Sequence, residues 1–120
     1  MDIFKHQGFG NMLGYGQKTA LLLIDMQFYF TTEDELGGFN IWDAIDNTAR
    51  LLQTARNAAL PVAHVRFVAP AASGGAGVFG GKVPALHALT RDNPRTAFVD
   101  SVAPIAGEYV LDKEHASALA

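Results

Sequence analysis

The chain has 120 residues, of which 49% are hydrophobic and 18% are charged, as expected for one folded domain rather than a disordered segment. Its net charge is −3 and its nine lysines and arginines are scattered singly, so no basic stripe is available to bind nucleic acid. The absence of cysteine excludes disulfides and thiolate metal ligands from these residues. No apolar run is long enough to cross a membrane, and MDIFKHQGFG lacks the apolar core of a signal peptide, so a cytoplasmic location is expected.

The first half of the chain predicts an arm, a strand and a helix. Residues 1–18 contain GFG and GYG without apolar periodicity, which indicates an irregular arm. Residues 20–26 are continuously apolar up to a single carboxylate and predict a strand buried on both faces. From Ile41 to Leu60 apolar residues recur every three or four positions, which predicts a helix with Asn40 as N-cap and Pro61 as its stop.

The second half alternates strands with short helices. VAHVRFV (62–68) predicts a strand, the glycine-rich residues 69–82 predict a mobile loop or lid, and VPALHAL (83–89) predicts a short helix. EYVL (108–111) predicts a third strand, and KEHASALA begins a further helix. This alternation of strands and helices predicts an α/β domain built on a parallel sheet.

A charged residue stands at or near the end of each predicted strand: Asp25, Arg66 and Lys113. The carboxyl ends of parallel strands lie at one edge of the sheet, where ligands bind in open α/β folds. A single charge at a strand end usually only marks the return to solvent, but three at one edge favour a functional site. A carboxylate beside an ammonium stays ionised and can accept a proton.

Three stretches, GYGQKTALLLIDMQFYF, PVAHVRF and GEYVLDKEHASAL, resemble the isochorismatase-like cysteine hydrolases. The arm and first strand, GFGNMLGYGQKTALLLIDMQ, are most similar to the branch of N-carbamoylsarcosine and maleamate amidohydrolases. The resemblance implies a three-layer Rossmann-like α/β fold with a parallel sheet. Residues 1–18 would be the arm, and residues 19–120 would be the N-terminal part of the domain, ending after the third strand.

The resemblance also implies the chemistry of the site, which is hydrolysis of a small amide without a cofactor. Asp25 would be the general base, and Lys113 would orient the site and stabilise charge. The nucleophile would be a cysteine on a later strand–helix unit, which these 120 residues do not contain. Arg66 is predicted to bind a carboxylate of the substrate, and Phe30 to line an apolar pocket. Ser117, four residues after Lys113, is a weak candidate for a replacement nucleophile.

Two other functions compete with amide hydrolysis. One is a binding or interaction domain that keeps the cleft without the nucleophile. The other is a flavodoxin-like nucleotide binder, suggested by GAGVFG (75–80) with Asp100 twenty residues further on. No metal site is predicted, because the four histidines are widely spaced, and His64 is predicted to be a core residue on the same strand face as Arg66.

The sequence also predicts a partner chain, because of the position that the first strand takes in the sheet. The resemblance places ALLLI in the middle of the family's sheet, so in residues 1–120 alone this strand would become an edge. A second copy or a completing chain is expected to cover it. Without that cover, we expect neither amide hydrolysis nor a well-behaved monomer.

Overall fold

Three parallel strands form the centre of the computed structural model, which describes residues 7, 12–70 and 77–119. The strands are β1 (Leu21–Ile24), β2 (Val62–Phe67) and β3 (Tyr109–Lys113), in the sheet order β1-β2-β3. The helices are α1 (Ile41–Asn57), α2 (Gly77–Lys82) and 3₁₀ turns at Phe28–Phe30, Pro84–Ala88, Pro94–Thr96 and Asp100–Val102. The predicted α/β class with a parallel sheet is confirmed. Across the described ranges, no helix is long and apolar enough to span a membrane.

Helix α1 covers one face of the sheet, which we call the helix-facing side. Its apolar stripe buries Ile45, Leu52 and Ala55, as the three- and four-residue spacing predicted. These side chains pack in one core cluster with Leu23 of β1 and with Val102. Side chains alternate between the two faces along each strand. Residues that are paired across neighbouring strands therefore lie on the same side of the sheet.

The opposite face, which we call the open side, exposes apolar residues. Leu22 and Ile24 of β1 are 55% and 51% exposed, and Tyr109 of β3 is 67% exposed. The prediction that the first strand is buried on both faces is therefore wrong for this chain, because β1 alternates between a covered side and an open side. A continuous apolar run gave no indication of which face would be left uncovered.

The predicted ends of α1 need correction. Asn40 makes no capping hydrogen bond with its side chain, since its backbone (φ −109°, ψ 19°) is outside the extended region that a capping residue adopts. The helix ends at Asn57, before Pro61, through Ala59 in the left-handed region (φ 55°) and a hydrogen bond that the Leu60 N–H donates to the Ala55 carbonyl.

Of four other predicted segments, one forms as predicted and three differ from the structure or fall partly outside the described residues. Residues 114–119 form bends and a turn, so the helix predicted from KEHASALA is wrong there. The VPALHAL helix is confirmed as a 3₁₀ turn, which begins at Pro84. The glycine-rich segment lies outside the described residues at 71–76, and residues 77–82 form α2 in place of the predicted loop. Of the arm, residues 12–18 contain neither helix nor strand, while 1–6 and 8–11 are outside the description.

Candidate active site

A cavity of about 280 Å³ lies beyond the carboxyl ends of the strands, and we call it the carboxyl-edge cavity. Its described lining consists of Asp25, Phe30, Leu36, Phe67, Val83, Leu86, Lys113 and Ala116. Two of these side chains carry charge and the others are apolar. A concave apolar pocket with a few converging polar groups is the usual form of a small-molecule site.

Asp25 and Lys113 meet at the floor of this cavity. The Lys113 Nζ lies 3.2 Å from the Asp25 Oδ2 and donates a second hydrogen bond, of 2.7 Å, to the Ala116 carbonyl. The Lys113 side chain is 6% exposed and that of Asp25 is 33% exposed, so the pair is largely shielded from water. The other carboxylate oxygen of Asp25, Oδ1, is buried and has no hydrogen-bond partner among the described residues. A buried carboxylate oxygen of this kind is an unsatisfied acceptor that calls for an explanation.

The backbone at Asp25 is unusual. Its φ of 59° lies in the left-handed region, which only a few per cent of non-glycine residues occupy, with aspartate among the more tolerant. The Asp25 N–H donates to the Val65 carbonyl, so this conformation is held directly at the end of the sheet. Backbone strain of this kind concentrates at functional sites.

Two opposing influences set the pKa of the Asp25 carboxyl. Burial raises this pKa above its usual value, because the charged form loses hydration. The charge of Lys113 and its hydrogen bond oppose the rise. The effect of burial is the larger, so the pKa of Asp25 is raised. Its carboxylate is therefore a stronger proton acceptor than one in water.

Gln27 is a residue of this region that the sequence analysis missed. Its buried side chain donates to the carbonyls of Phe67 (2.9 Å) and Thr96 (2.8 Å), and its Oε1 accepts from the Phe67 N–H (2.7 Å). The side chain thereby replaces a strand partner at the end of β2 and fixes the segment that follows Asp25. The signal in the sequence was a lone amide two residues beyond an apolar strand.

The outer wall of the cavity is held by an ion pair. Phe30 and Leu36 line the cavity, and Leu36 is held by a hydrogen bond from its N–H to the Tyr29 carbonyl. Next to Leu36, Glu35 accepts a 2.9 Å hydrogen bond from the Arg95 Nε, and Arg95 also donates to the Phe28 carbonyl. Phe30 thus lies where the sequence analysis expected it, and its contact with a substrate stays a prediction.

Arg66 lies on the other face of the sheet from the Asp25–Lys113 pair, and Ser117 lacks the helical setting that was predicted for it. The register pairs Arg66 with Asp112, the residue before Lys113. Neighbouring residues of a strand point to opposite faces, so the Arg66 side chain is on the helix-facing side. There it donates to Asp112 (2.6 Å from Nε to Oδ1) and lies over the Phe98 ring, and it is not among the described lining of the cavity. Ser117 is in an irregular segment, so the helical spacing to Lys113 on which its candidacy depended is absent.

The predicted core role of His64 agrees with its position. The imidazole is fully buried on the helix-facing side, with Nε2 2.8 Å from Glu108 Oε1 and an edge contact to Phe98. Glu108 also binds Arg56 of α1, and this interaction lies away from the carboxyl-edge cavity. In the part of the chain that the structure describes, no group of three or more His, Asp or Glu side chains could hold a metal ion.

A parallel α/β domain with a carboxylate–ammonium pair in a cavity at its carboxyl edge has the layout of a small-molecule enzyme. The model of the isochorismatase domain family matches residues 19–120, and the chain belongs to the isochorismatase family.

Known proteins similar to this chain are amide hydrolases and members of the same structural family. Maleamate amidohydrolase of Pseudomonas putida is 40% identical over 117 residues, covering 94% of this chain and 54% of the relative. N-carbamoylsarcosine amidase of an Arthrobacter species is 28% identical, covering 98% of this chain and 46% of that protein. The crystal structure of an isochorismatase from Pseudomonas putida matches with a TM-score of 0.66 at 26% identity, covering 98% and 53%. The chain thus spans about half the length of these relatives.

Proposed function

We propose that this chain supplies the general base and the charge-stabilising lysine of an enzyme that hydrolyses a small amide with a cysteine nucleophile. The observation that supports this most directly is the Asp25–Lys113 pair at the carboxyl-edge cavity, in which Asp25 Oδ1 has no hydrogen-bond partner within the described ranges. The amide hydrolases among the relatives support the reaction class. The family resemblance supports the nucleophile, which must come from outside these cysteine-free residues.

In the proposed reaction, Asp25 accepts the proton of the thiol as the sulfur attacks the amide carbonyl. A sulfur–carbon bond forms, the carbon–nitrogen bond breaks, and the amine leaves with the proton returned from Asp25. Water then hydrolyses the thioester with Asp25 again as base. The Lys113 ammonium keeps the Asp25 carboxylate ionised before each proton transfer and stabilises negative charge that develops beside it. Phe30 and Leu36 would exclude water from the reacting carbonyl.

The test uses the chain joined to the part of Pseudomonas putida maleamate amidohydrolase that it does not match, assayed on a panel of small amides. We expect hydrolysis, and we expect Asp25→Asn to lower kcat at least about 100-fold, because general-base catalysis contributes on this scale. Asp43→Asn, at an exposed position of α1, is the matched control and should leave kcat unchanged. Folding of each variant is checked by circular dichroism. A folded Asp25→Asn variant with near-normal kcat would refute the general-base role.

The competing function is a domain that binds a small molecule in the same cavity without cleaving it. The observation in its favour is that all 120 residues lack cysteine. A joined protein that binds amides by calorimetry, with affinity lowered by Asp25→Asn but without turnover, would support this reading over hydrolysis.

A further inference from the structure

One wall of the carboxyl-edge cavity is formed by apolar side chains from three separate segments of the chain. These segments are the stretch that follows β1, the end of β2 and the 3₁₀ turn that begins at Pro84 with the residue before it. The side chains, which we call the apolar wall, are Phe30, Leu36, Phe67, Val83 and Leu86. A ligand group that covers such a surface is favoured only if it is itself apolar, because both surfaces then lose contact with water.

Hydrogen bonds hold the apolar wall in place. The Tyr29 hydroxyl donates to the Ala85 carbonyl over 3.2 Å, which joins the turn that carries Phe30 to the turn that carries Leu86. The Leu36 N–H donates to the Tyr29 carbonyl and fixes a further part of the wall. The shape of the cavity is therefore set before a ligand binds, so that little ordering of the protein opposes binding.

The charges of the cavity are already paired with each other. Asp25 and Lys113 are the two charged side chains in its described lining, and they lie 3.2 Å apart. Arg66 and Arg91 both donate to Asp112, over 2.6 and 2.7 Å, and neither is in the described lining. A carboxylate placed against the apolar wall would lose its hydration without gaining a cationic partner, which is unfavourable.

The volume of the cavity limits the size of the ligand. An apolar cavity of about 150 Å³ can hold a benzene molecule. The carboxyl-edge cavity has about 280 Å³. It therefore has room for a carboxamide beside the Asp25–Lys113 pair together with one apolar group no larger than a ring or a short branched chain.

We propose that the carboxyl-edge cavity selects uncharged carboxamides that carry a small ring or a short branched chain, and that it disfavours amides with a carboxylate in that position. The carboxamide lies beside Asp25 and Lys113, and the apolar group lies against the apolar wall. As a statement about substrates, this inference rests on the proposed function. It separates this chain from the expectation that Arg66 would bind a carboxylate of the substrate, because Arg66 is paired with Asp112 on the helix-facing side.

The experiment compares two ligands of nearly equal shape. One is maleamate, and the other is its uncharged analogue in which an isopropyl group replaces the carboxylate. Dissociation constants for the chain are measured at neutral pH by saturation-transfer NMR, which observes the ligand and is suited to a monomer or an oligomer of the chain. We expect the uncharged analogue to bind at least about tenfold more tightly, because maleamate must bury an unpaired charge.

A substitution in the apolar wall tests the cause of this preference. Val83→Lys places an ammonium on the wall and should reverse the preference, so that maleamate binds more tightly than its analogue. Val110→Lys is the matched control, because Val110 is a half-exposed residue of β3 outside the described lining, and this variant should keep the original preference. Circular dichroism checks that both variants fold.

The comparison of the two ligands uses the unsubstituted chain, so it remains decisive if Val83→Lys does not fold. Equal affinities, tighter binding of maleamate or no binding of either ligand to the unsubstituted chain would each overturn the proposal. The same reversal in Val110→Lys would also overturn it, since overall charge would then explain the preference. Because binding is measured without turnover, a joined protein that fails to hydrolyse amides would refute the proposed function and leave this result standing.

Discussion

Asp25 follows five apolar residues, and its surroundings explain how a carboxylate is kept there. Its charge is desolvated by burial but paired with Lys113 at 3.2 Å, while its backbone adopts a left-handed conformation at the end of β1. Local sequence does not determine the contact between the two side chains, because Lys113 is 88 positions away at the end of β3. The pairing depends on the parallel register that aligns Phe67 with Lys113.

Replacing Lys113 by methionine should raise the pKa of the Asp25 carboxyl further. Burial already raises this pKa, and the two influences that lower it both come from Lys113. Carbon-13 NMR titration of the Asp25 carboxyl in the two proteins measures the change. Arg66→Met, which removes a cation on the helix-facing side, should leave this pKa where it is. An unchanged or lower pKa in Lys113→Met would show that Lys113 does not control the ionisation of Asp25.

Arg66 shows how a residue at the expected edge can still lie outside the expected site. Three charged residues stand at the carboxyl edge of the predicted sheet, and Asp25 and Lys113 do meet there. An edge does not specify a face, however, and neighbouring residues of a strand point in opposite directions. Arg66 lies one position before the residue that pairs with Lys113, and it binds Asp112 on the other side.

At the scale of elements, Gln27 connects the turn after β1 to the end of β2. Its three buried hydrogen bonds satisfy both backbone groups of Phe67 and the carbonyl of Thr96. This connection holds Asp25 and Phe67, two lining residues of the carboxyl-edge cavity, on a common support. The hydrogen bond to Phe67 spans 40 positions along the chain, so the lone amide after β1 gave no indication of its partners.

Gln27→Leu should lower the free energy of unfolding by roughly 3 kcal/mol. The leucine has a similar volume, but it leaves the buried backbone groups of Phe67 and Thr96 without these hydrogen bonds. Urea denaturation followed by circular dichroism measures the loss. Gln53→Leu is the control, since the exposed Gln53 side chain donates a hydrogen bond to Asn57 on the surface of α1, and it should change stability by less than about 0.5 kcal/mol. Equal losses in the two variants would mean that the Gln27 bonds contribute nothing specific.

At the scale of the whole molecule, Glu108 joins α1, β2 and the start of β3. Its carboxylate accepts hydrogen bonds from Arg56 and from the Ile105 N–H, and it lies 2.8 Å from His64 Nε2. The Arg56 hydrogen bond, assisted by His64, lowers the pKa of Glu108 from 4.5 to about 2. The side chain is 9% exposed, so solvent screens this interaction little.

The lowered pKa predicts acid-sensitive stability. Because the folded state holds Glu108 ionised more strongly than the unfolded state does, its contribution is complete above about pH 4.5 and is lost as the pH falls towards 2. The lost contribution is at most about 3 kcal/mol. In Glu108→Gln, the protein should be less stable at pH 7 and should lose this part of its pH dependence, as measured by urea unfolding across the range. Glu33→Gln, at an exposed position, should keep the full acid dependence; the same loss there would assign the effect to overall charge.

The sequence alone determined the three strands, the long helix α1 and the edge where the candidate site lies. The apolar period identified α1, the apolar runs identified the three strands, and strand-end charges identified Asp25 and Lys113, since each of these signals is local. Tertiary structure decided the rest, because it depends on register and on contacts between distant segments. It placed Arg66 on the other face, recruited Gln27 and left Leu22 and Ile24 exposed on a sheet edge that the apolar run alone could not distinguish from a buried centre.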